Sequence, residues 1–421
     1  MGGRSGDVDH YLGLPYAAPP VGRLRWAPPA PVVPWVGVRD ANRFGNPCIQ
    51  EVDSLPVIHE RQSSPSEDCL FLNVWGPAEG SGLPVLVWFH GGAFITGSGS
   101  AEEFDGHNLA ALGCVVITVN YRLGPFGFLS HPDLRAESPT GSAGNYGLLD
   151  QRAALLWVRD HVRSFGGDPR NVTIFGQSAG GISVSCHVVS PQAHGLFARA
   201  VSQSGTWFTI PHGLPEAHAD PDLAAEDAER FAARLGCTRP GRIIEDLRRL
   251  PARQLLDATN GKALFCPVRD GWFLPEDPAA TFAAGGLRRV PYILGYTRDE
   301  GTRFTSPDDA AALAGRMAIR PTETVAGALA SPTYLYRFSQ VPHTELASRF
   351  GAYHGVEVPY VFGNLPRSEG YRDDDLLLSR AMMQRWTTFA RTGDPNVVGL
   401  PEWPPFTVAG RARLELCHPN P

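Results

Sequence analysis

Lysine is nearly absent from this chain of 421 residues, in which Lys262 is the only lysine among 37 basic residues. Long apolar runs are missing too: no stretch reaches the roughly 18 apolar residues of a membrane-spanning helix. The charges are dispersed and sum to −6, which leaves no basic stripe for nucleic acid and no polybasic membrane patch. The chain has no P-loop, dinucleotide fingerprint or metal-ligand cluster. We therefore expect no cofactor, no metal and no nucleic-acid partner.

The N-terminus and the cysteines bear on the cellular compartment. Residues Met1–Asp9 are polar and glycine-rich, unlike a secretory signal, so we expect a cytoplasmic protein, or a secreted one if the true N-terminus differs. Seven cysteines in a long chain do not indicate a disulfide scaffold. The sequence does not specify an oligomeric state, and a monomer is the default.

The chain is predicted to form one α/β domain over residues 1–421. Apolar residues make up 43%, enough for a large core, and strand-like runs alternate with helical ones, which is typical of a mostly parallel sheet wrapped by helices. Helices are expected over Gly147–Ser164 and within Ala219–Asn260, with Leu223, Phe231, Leu235 and Leu247 as core candidates. The predicted strands are Pro84–Phe89, Cys114–Asn120, Val172–Phe175, Arg199–Ser202, Pro291–Gly295 and Thr333–Phe338.

The most informative segment is Gly176-Gln177-Ser178-Ala179-Gly180, a G-x-S-x-G pattern. It follows a β-branched and aromatic run and precedes an apolar stretch that extends through Val189. A serine at such a strand-to-helix turn has an exposed hydroxyl, and the next backbone N–H points to where an oxyanion would form. The pattern alone is weak, but this context favours Ser178 as a nucleophile.

Several ordered motifs resemble those of the type B carboxylesterases, a family that includes bacterial esterases of the para-nitrobenzyl-esterase type, liver carboxylesterases and cholinesterases. The resemblance covers about residues 11–406. It implies an α/β-hydrolase fold and hydrolysis of small-molecule carboxylic esters through an acyl-enzyme, without a cofactor. The motifs that carry it are Gly13–Ala17, Glu67–Trp75, Asn120–Arg122, Phe126–Leu129, Asn145–Gln151 and Phe165–Gly180.

The resemblance also assigns the acid and the base that a serine nucleophile needs. Glu300, in Gly295–Gly301, matches the family's catalytic acid, with Asp299 as its nearest rival. His354, in Tyr353–Gly363, matches the catalytic histidine. The order serine, acid, histidine is that of α/β-hydrolases.

Glycines after a predicted strand indicate the oxyanion hole. His90-Gly91-Gly92-Ala93-Phe94 is an HGGG-type loop, in which Gly91 and Gly92 would donate backbone N–H groups, with Ala179 as the third donor. Ser204 resembles a family serine that forms a hydrogen bond near the acid. Four other histidines are not expected to act as the catalytic base: His90, His187, His194 and His212. Six aromatic residues near these motifs are candidates for lining the acyl and alcohol pockets, with packing in the core as the alternative for each: Phe94, Phe126, Trp207, Phe208, Phe304 and Phe362.

Further structural features follow from the resemblance. Cys48 and Cys69 fall where the family has a loop-closing disulfide, and ion pairs are expected between Arg25 and Glu67 and between Arg122 and Asp150. The family's N-terminal hairpin strands are expected to be missing, and the segment from Glu300 to His354 is shorter than usual.

Two alternatives to an active esterase remain. One is a non-catalytic binding protein on the same scaffold, although such relatives lose the serine or its partners and this chain keeps all three. The other is a truncated, inactive family member, suggested by the two departures at the N-terminus and before His354. A cholinesterase is disfavoured as well. The resemblance places the choline-binding tryptophan of the cholinesterases between Cys48 and Cys69, and that segment contains no tryptophan.

Overall fold

The computed structural model describes residues 1–51, 64–206, 220–259, 265–284, 290–329 and 331–418. These residues contain one ten-stranded sheet with the order β1-β2-β3-β5-β4-β6-β7-β8-β9-β10. The strands are β1 Gly3–Ser5, β2 Val8–Pro15, β3 Phe71–Pro77, β4 Leu83–Phe89, β5 Val115–Val119, β6 Gly167–Gln177, β7 Arg199–Gln203, β8 Tyr292–Thr297, β9 Thr333–Phe338 and β10 Leu414–Leu416.

The sheet is antiparallel at one side and parallel over the rest. Strands β1, β2, β3 and β5 pair antiparallel in succession, whereas every pair from β5 and β4 through to β9 and β10 is parallel. The predicted mostly parallel sheet of an α/β-hydrolase fold is confirmed, and each of the six predicted strands is present.

Helices follow most of the parallel strands, since a parallel connection must cross a face of the sheet. The helices of the described residues are α1 His107–Ala110, α2 Gly124–Phe128, α3 Pro132–Glu137, α4 Tyr146–His161, α5 Ala179–Val189, α6 Pro221–Arg234, α7 Ile243–Arg249, α8 Ala252–Asp257, α9 Pro278–Ala283, α10 Pro307–Ala314, α11 Arg320–Ala328, α12 Glu345–Phe350, α13 Val358–Phe362 and α14 Asp373–Thr392.

The core lies on both faces of the sheet, as β4 shows. Its alternate residues Val85, Val87 and Phe89 belong to one apolar cluster, whereas Leu86 and Trp88 belong to the other. Such a strand, apolar at every position, is typical of a parallel sheet covered by helices on both sides. Because β4 and its neighbours are fixed on both faces, the loops at their ends have a rigid base.

Two sequence-based expectations about the fold are wrong. The N-terminal hairpin is present, since β1 and β2 pair antiparallel and β2 continues the sheet onto β3. The early sequence is polar and glycine-rich, but the backbone hydrogen bonds to β3 make it a strand. Leu223, predicted as a core residue, is 38% exposed near the start of α6, whereas Phe231 and Leu247 are buried and Leu235 packs against the core.

The shortened segment before His354 is folded. It contains α10, a π-helical turn at Gly315–Ile319, α11 and β9. Leu313, Ala318 and Val325 from this segment are buried in the core. Helix α11 follows the π-helical turn directly, and Pro321, which has no N–H to donate within a helix, lies at this junction. The reduced length is therefore compatible with normal core packing.

The predicted disulfide is not formed. Cys48 and Cys69 are both buried free thiols, and the two side chains are hydrogen-bonded to each other, which with burial raises the pKa of the Cys69 thiol. The sulfur of Cys48 also accepts the backbone N–H of Leu123 at 3.3 Å. The resemblance was thus right about the proximity of the two cysteines, while their state in the structure is that of thiols packed in the core.

Both predicted ion pairs are present, at 2.6 Å between Arg25 and Glu67 and 2.7 Å between Arg122 and Asp150. The second is fully buried, and Asp150 also accepts the backbone N–H of Arg122. Such a pair ties the start of α4 to the loop after β5.

Replacing Asp150 with asparagine should destabilise the fold strongly. The change leaves the buried guanidinium of Arg122 without a countercharge, a loss of about 3–5 kcal/mol in the free energy of unfolding. The measurement is the urea midpoint followed by circular dichroism. Asp160→Asn, in the exposed pair with Arg159, is the control and should change the midpoint far less. Equal shifts in the two variants would contradict the structural role of the buried pair.

Candidate active site

The predicted site residues lie at the carboxyl ends of neighbouring parallel strands. His90 follows β4, Ser178 follows β6 and Ser204 follows β7, while Glu300 lies three residues beyond β8. The register pairs Phe89 with Gly176 in β4 and β6. Because parallel strands end at the same edge of a sheet, residues distant in sequence meet there, which is where open α/β sheets bind ligands.

Ser178 occupies a strained turn between β6 and α5. Its φ of 55° and ψ of −123° are unusual for a residue with a Cβ. The turn is held by hydrogen bonds from the Ser178 N–H to Gln203 O and from the Ile182 N–H to Ser178 O, each 2.9 Å. It also requires a glycine at position 180, where a Cβ would lie 1.9 Å from the backbone oxygen of Phe89. The predicted strand–serine–helix turn is thus present.

The loop after β4 approaches the serine closely. A Cβ at Gly91 would lie 3.2 Å from the Cβ of Ser178. Glycine is required at position 92, because the φ is +106° and a Cβ would lie 2.1 Å from the backbone oxygen of Thr96. Ala93 and Phe94 also have positive φ values, 54° and 62°. This concentration of strained backbone beside a nucleophile candidate is typical of functional loops.

The backbone N–H of Ala179 is available for a ligand. Ala179 is the first residue of α5, and the first N–H groups of a helix have no intrahelical acceptor. Gly91 and Gly92 line the cavity beside Ser178. The three predicted donors therefore surround the serine.

Glu300 and His354 are in direct contact, as predicted. Glu300 is fully buried and His354 is 8% exposed. The Glu300 Oε1 accepts the Thr297 N–H at 2.8 Å, which aims Oε2 at the imidazole Nδ1, with which it forms a short hydrogen bond. Burial lowers the pKa of His354, but the charge and hydrogen bond of Glu300 outweigh it, so that the pKa is raised above its ordinary value.

The rival acid, Asp299, has a different position. Its Oδ2 accepts the Ala352 N–H at 2.7 Å and forms an ion pair with Arg298 at the same distance. Its backbone N–H donates to Ala352 O at 3.0 Å. Asp299 therefore holds the loop that carries His354, whereas the adjacent Glu300 contacts the imidazole.

The other imidazole nitrogen does not contact the serine. His354 Nε2 is 3.1 Å from the Gln177 side-chain nitrogen, and among the described residues no hydrogen bond joins it to Ser178 Oγ. With Nδ1 donating to Glu300, Nε2 carries the lone pair and accepts from the Gln177 amide. The structure thus places the three predicted triad residues around one cavity, with Gln177 on the nitrogen that faces it.

A second buried carboxyl group, Glu357, lies near this pair. The Gln203 amide donates to its Oε1 at 3.3 Å, and its Oε2 has no partner among the described residues. Burial and the charge of Glu300 raise the pKa of Glu357 to about 7. Glu357 in turn raises the pKa of His354. Sequence reasoning included Glu357 in the histidine motif but gave it no role, although its spacing of three residues from His354 was a usable signal.

Two buried histidines outside the triad candidates, His90 and His187, do not join this site. His90 stacks on Tyr121 with ring centroids 4.3 Å apart, and burial lowers its pKa to about 4. His187 packs against Phe89 and Phe273, and burial lowers its pKa to about 3. His212, Trp207 and Phe208 lie outside the described residues. The expectation that His90 and His187 are not bases agrees with their positions.

Ser178 and His354 open into a cavity of about 1510 Å³. Of the aromatic candidates Phe304 lines it and packs edge-on against His354 at 5.2 Å, whereas Phe94, Phe126 and Phe362 are core residues. Ser204 is buried beside the turn, and its hydroxyl has no partner among the described residues, so the hydrogen bond expected near the acid is not formed. Met317, from the shortened segment, also lines the cavity.

Two features are absent from the described residues. No group of three or more histidine, cysteine, aspartate or glutamate side chains there could hold a metal ion. None of the helices there has both the length and the apolar character needed to cross a membrane.

Comparison with known proteins identifies relatives over almost the entire chain. A family model described as "Carboxylesterase family" matches residues 1–315 and 310–419, and the break between the two stretches falls in the shortened segment. The fumonisin B1 esterase of Sphingopyxis macrogoltabida is 36% identical over 472 residues, with 97% of this chain and 83% of that protein covered. The para-nitrobenzyl esterase of Bacillus subtilis is 36% identical over 463 residues, with 97% and 91% covered. A solved thermophilic PNB esterase superposes with a TM-score of 0.89 at 34% identity, with 99% and 93% covered.

The carboxyl groups of Glu300 and Glu357 lead us to predict a raised pKa for His354. The pKa of His354, followed by NMR of the imidazole, should lie above the ordinary value of about 6.5. Glu357→Gln removes a negative charge that stabilises the imidazolium, so the pKa should fall. Glu345→Gln, an exposed carboxylate of the same cavity, is the control and should leave the value almost unchanged. A pKa that rises in Glu357→Gln would contradict this electrostatic arrangement.

Proposed function

The chain belongs to the carboxylesterase family and is a carboxylic ester hydrolase, and on that premise we propose that Ser178, His354 and Glu300 form its catalytic triad. The observation that carries the proposal is the buried contact of His354 Nδ1 with Glu300 Oε2, which leaves Nε2 as the nitrogen not bound by the acid, while His354 and Ser178 line one cavity. A side chain so oriented is suited to accept a proton from the serine hydroxyl.

Acylation follows from these positions. His354 Nε2 takes the proton of Ser178 Oγ as the oxygen attacks the ester carbonyl. The imidazolium that forms is stabilised by Glu300, whose carboxylate is already in contact with Nδ1. His354 then gives the proton to the leaving alcohol, and the acyl group remains on Ser178.

The backbone groups around Ser178 stabilise the charge that develops on the carbonyl oxygen. We assign this role to the N–H groups of Gly91, Gly92 and Ala179, as the sequence predicts. The strained conformation of the loop after β4 fixes these donors before the substrate arrives, so no reorganisation is needed during the reaction.

Gln177 must yield its position for the reaction to proceed. Its amide now donates to Nε2, the atom that has to receive the proton of Ser178. When an ester occupies the cavity, the amide moves off and the serine hydroxyl takes its place. Water then attacks the acyl carbon and gives its proton to Nε2. As the bond between the acyl carbon and Ser178 Oγ breaks, Nε2 returns that proton to Oγ, and the carboxylic acid leaves.

Removal of the nucleophile tests the proposal directly. Ser178→Ala should lower kcat for 4-nitrophenyl acetate by about 10⁶-fold, as expected for loss of a triad serine. The control is Ser368→Ala, an exposed serine of the same cavity, which should retain full activity. Thermal melts of both variants check folding. A folded Ser178→Ala variant with near-normal turnover would refute the assignment, and a folded wild-type chain without activity would support the inactive alternative.

Two adjacent carboxylates allow a matched test of the acid. Glu300→Gln should lower kcat by about 10⁴-fold, the loss known for a triad carboxylate replaced by its amide. Asp299→Asn should affect the melting temperature more than the reaction, because Asp299 holds the backbone of Ala352. The opposite ranking in kcat would assign the acid to Asp299.

The pH profile depends on the neutral form of His354. Because Glu300 raises the pKa of His354, the imidazole remains protonated at higher pH than an ordinary histidine, and kcat/KM should begin to fall already above about pH 6.5 as the pH is lowered. In Glu357→Gln this acid limb should move to lower pH. A flat profile between pH 5 and 8 in folded enzyme would indicate a base other than His354.

A further inference from the structure

One arginine of the cavity has no countercharge. Arg303 lies in the turn after Glu300 and lines the same cavity as Ser178 and His354. Its guanidinium lies over the rings of Tyr353, at 5.2 Å, and Phe350, at 5.8 Å. Its Nη1 is buried and has no hydrogen-bond partner among the described residues.

Two buried arginines that form ion pairs show which interaction Arg303 lacks. Arg25 is bound by both oxygens of Glu67, and Arg122 by both oxygens of Asp150. Arg303 forms no ion pair within the described parts of the chain, and burial lowers its pKa, opposed only by Tyr353. Burial of a cation without a partner costs free energy, and a site that tolerates this cost beside a reactive serine is suited to a ligand that supplies the partner.

We infer that Arg303 binds a carboxylate carried by the ester substrate, so that the enzyme favours esters with a free acid group near the scissile bond. This inference rests on the proposed function of the site. A guanidinium presents paired N–H donors whose geometry matches a carboxylate. The ring faces of Tyr353 and Phe350 restrict its orientation, and Arg349, which is exposed and also lies over Phe350 at 4.7 Å, adds positive charge to the same wall.

The position of Arg303 places the bound acid close to the reaction. Arg303 is near enough to His354 to lower its pKa, and its neighbour Phe304 contacts the imidazole. A carboxylate that reaches Arg303 therefore lies in the same cavity as an ester held at Ser178. By neutralising Arg303, such a substrate also removes a charge that disfavours the imidazolium formed during catalysis.

Other carboxylates around the cavity limit where an anion can bind. None of them forms an ion pair with Arg303 within the described parts of the chain, and their negative charges repel an anion elsewhere in the cavity. Arg303 and Arg349 thus mark the wall at which a substrate carboxylate is accepted. The cavity carboxylates are Glu102, Glu103, Asp105, Glu345 and Glu369.

Paired esters that differ in one charge test the inference. For an acid on the acyl side, mono-4-nitrophenyl adipate is compared with 4-nitrophenyl hexanoate; for one on the alcohol side, 4-carboxyphenyl butyrate is compared with phenyl butyrate. The measured quantity is the ratio of kcat/KM for the anionic ester to that for the neutral ester. In Arg303→Gln this ratio should fall by about 10–100-fold in at least one pair, the range for loss of a charge-assisted hydrogen bond.

Three further measurements separate recognition from a structural effect. Arg303→Lys, which keeps the charge but loses the paired donors, should retain part of the ratio. Arg170→Gln, an exposed arginine at the other end of β6, should leave the ratio unchanged. With the neutral ester, the acid limb of the pH profile should move to higher pH in Arg303→Gln, because the charge that lowers the pKa of His354 is gone.

The possible failures are distinguishable. If the wild-type protein hydrolyses none of the four esters, the proposed function fails. If it hydrolyses the neutral esters but the anionic-to-neutral ratio is the same in wild type and in Arg303→Gln for both pairs, the inference about Arg303 is overturned. The pair in which the ratio falls identifies whether the acid is on the acyl or the alcohol side.

Discussion

The close backbone contact between β4, β6 and α5 is the constraint on which the site depends. Gly180 leaves room for the oxygen of Phe89, and Gly205 leaves room for the oxygen of Ser178, 2.1 Å from where a Cβ would lie. This packing forces Ser178 into a conformation that costs on the order of 1–3 kcal/mol. The surrounding sheet, covered on both faces, supplies the packing that sustains it. The serine is therefore exposed to the cavity because the neighbouring backbones leave it no other conformation.

Neighbouring groups with opposite effects set the pKa of His354. Glu300 and Glu357 raise the pKa of the imidazole, while burial and Arg303 lower it. Burial is opposed chiefly by Glu300, which is in direct contact with the imidazole. Burial and the charge of Glu300 raise the pKa of Glu357 to about 7, so Glu357 changes its own charge near neutral pH. The basicity of His354 is consequently a property of the cluster, and coupled titration is the expected behaviour.

The shortened segment is compatible with the fold around the candidate site. The segment between Glu300 and His354 contributes core residues such as Leu313 and a cavity residue, Met317. The family match breaks within it, yet β9 keeps its place between β8 and β10. The bridge between Asp299 and Tyr353 then fixes the histidine loop against the acid loop, so that the shortened connection does not alter the contact of Glu300 with His354.

The sequence by itself determined the strands and the turn at Ser178, because strand composition and glycine spacing act over a few residues, while the resemblance to the type B carboxylesterases pointed to Glu300 and His354. Tertiary structure alone decided which groups meet across long separations. It placed Gln177, rather than Ser178, on His354 Nε2, left Cys48 and Cys69 as thiols, paired β2 of the N-terminal segment with β3 and left Arg303 without a countercharge. Such outcomes depend on how side chains and strands from distant parts of the chain pack and pair, and local sequence patterns carry no information about that.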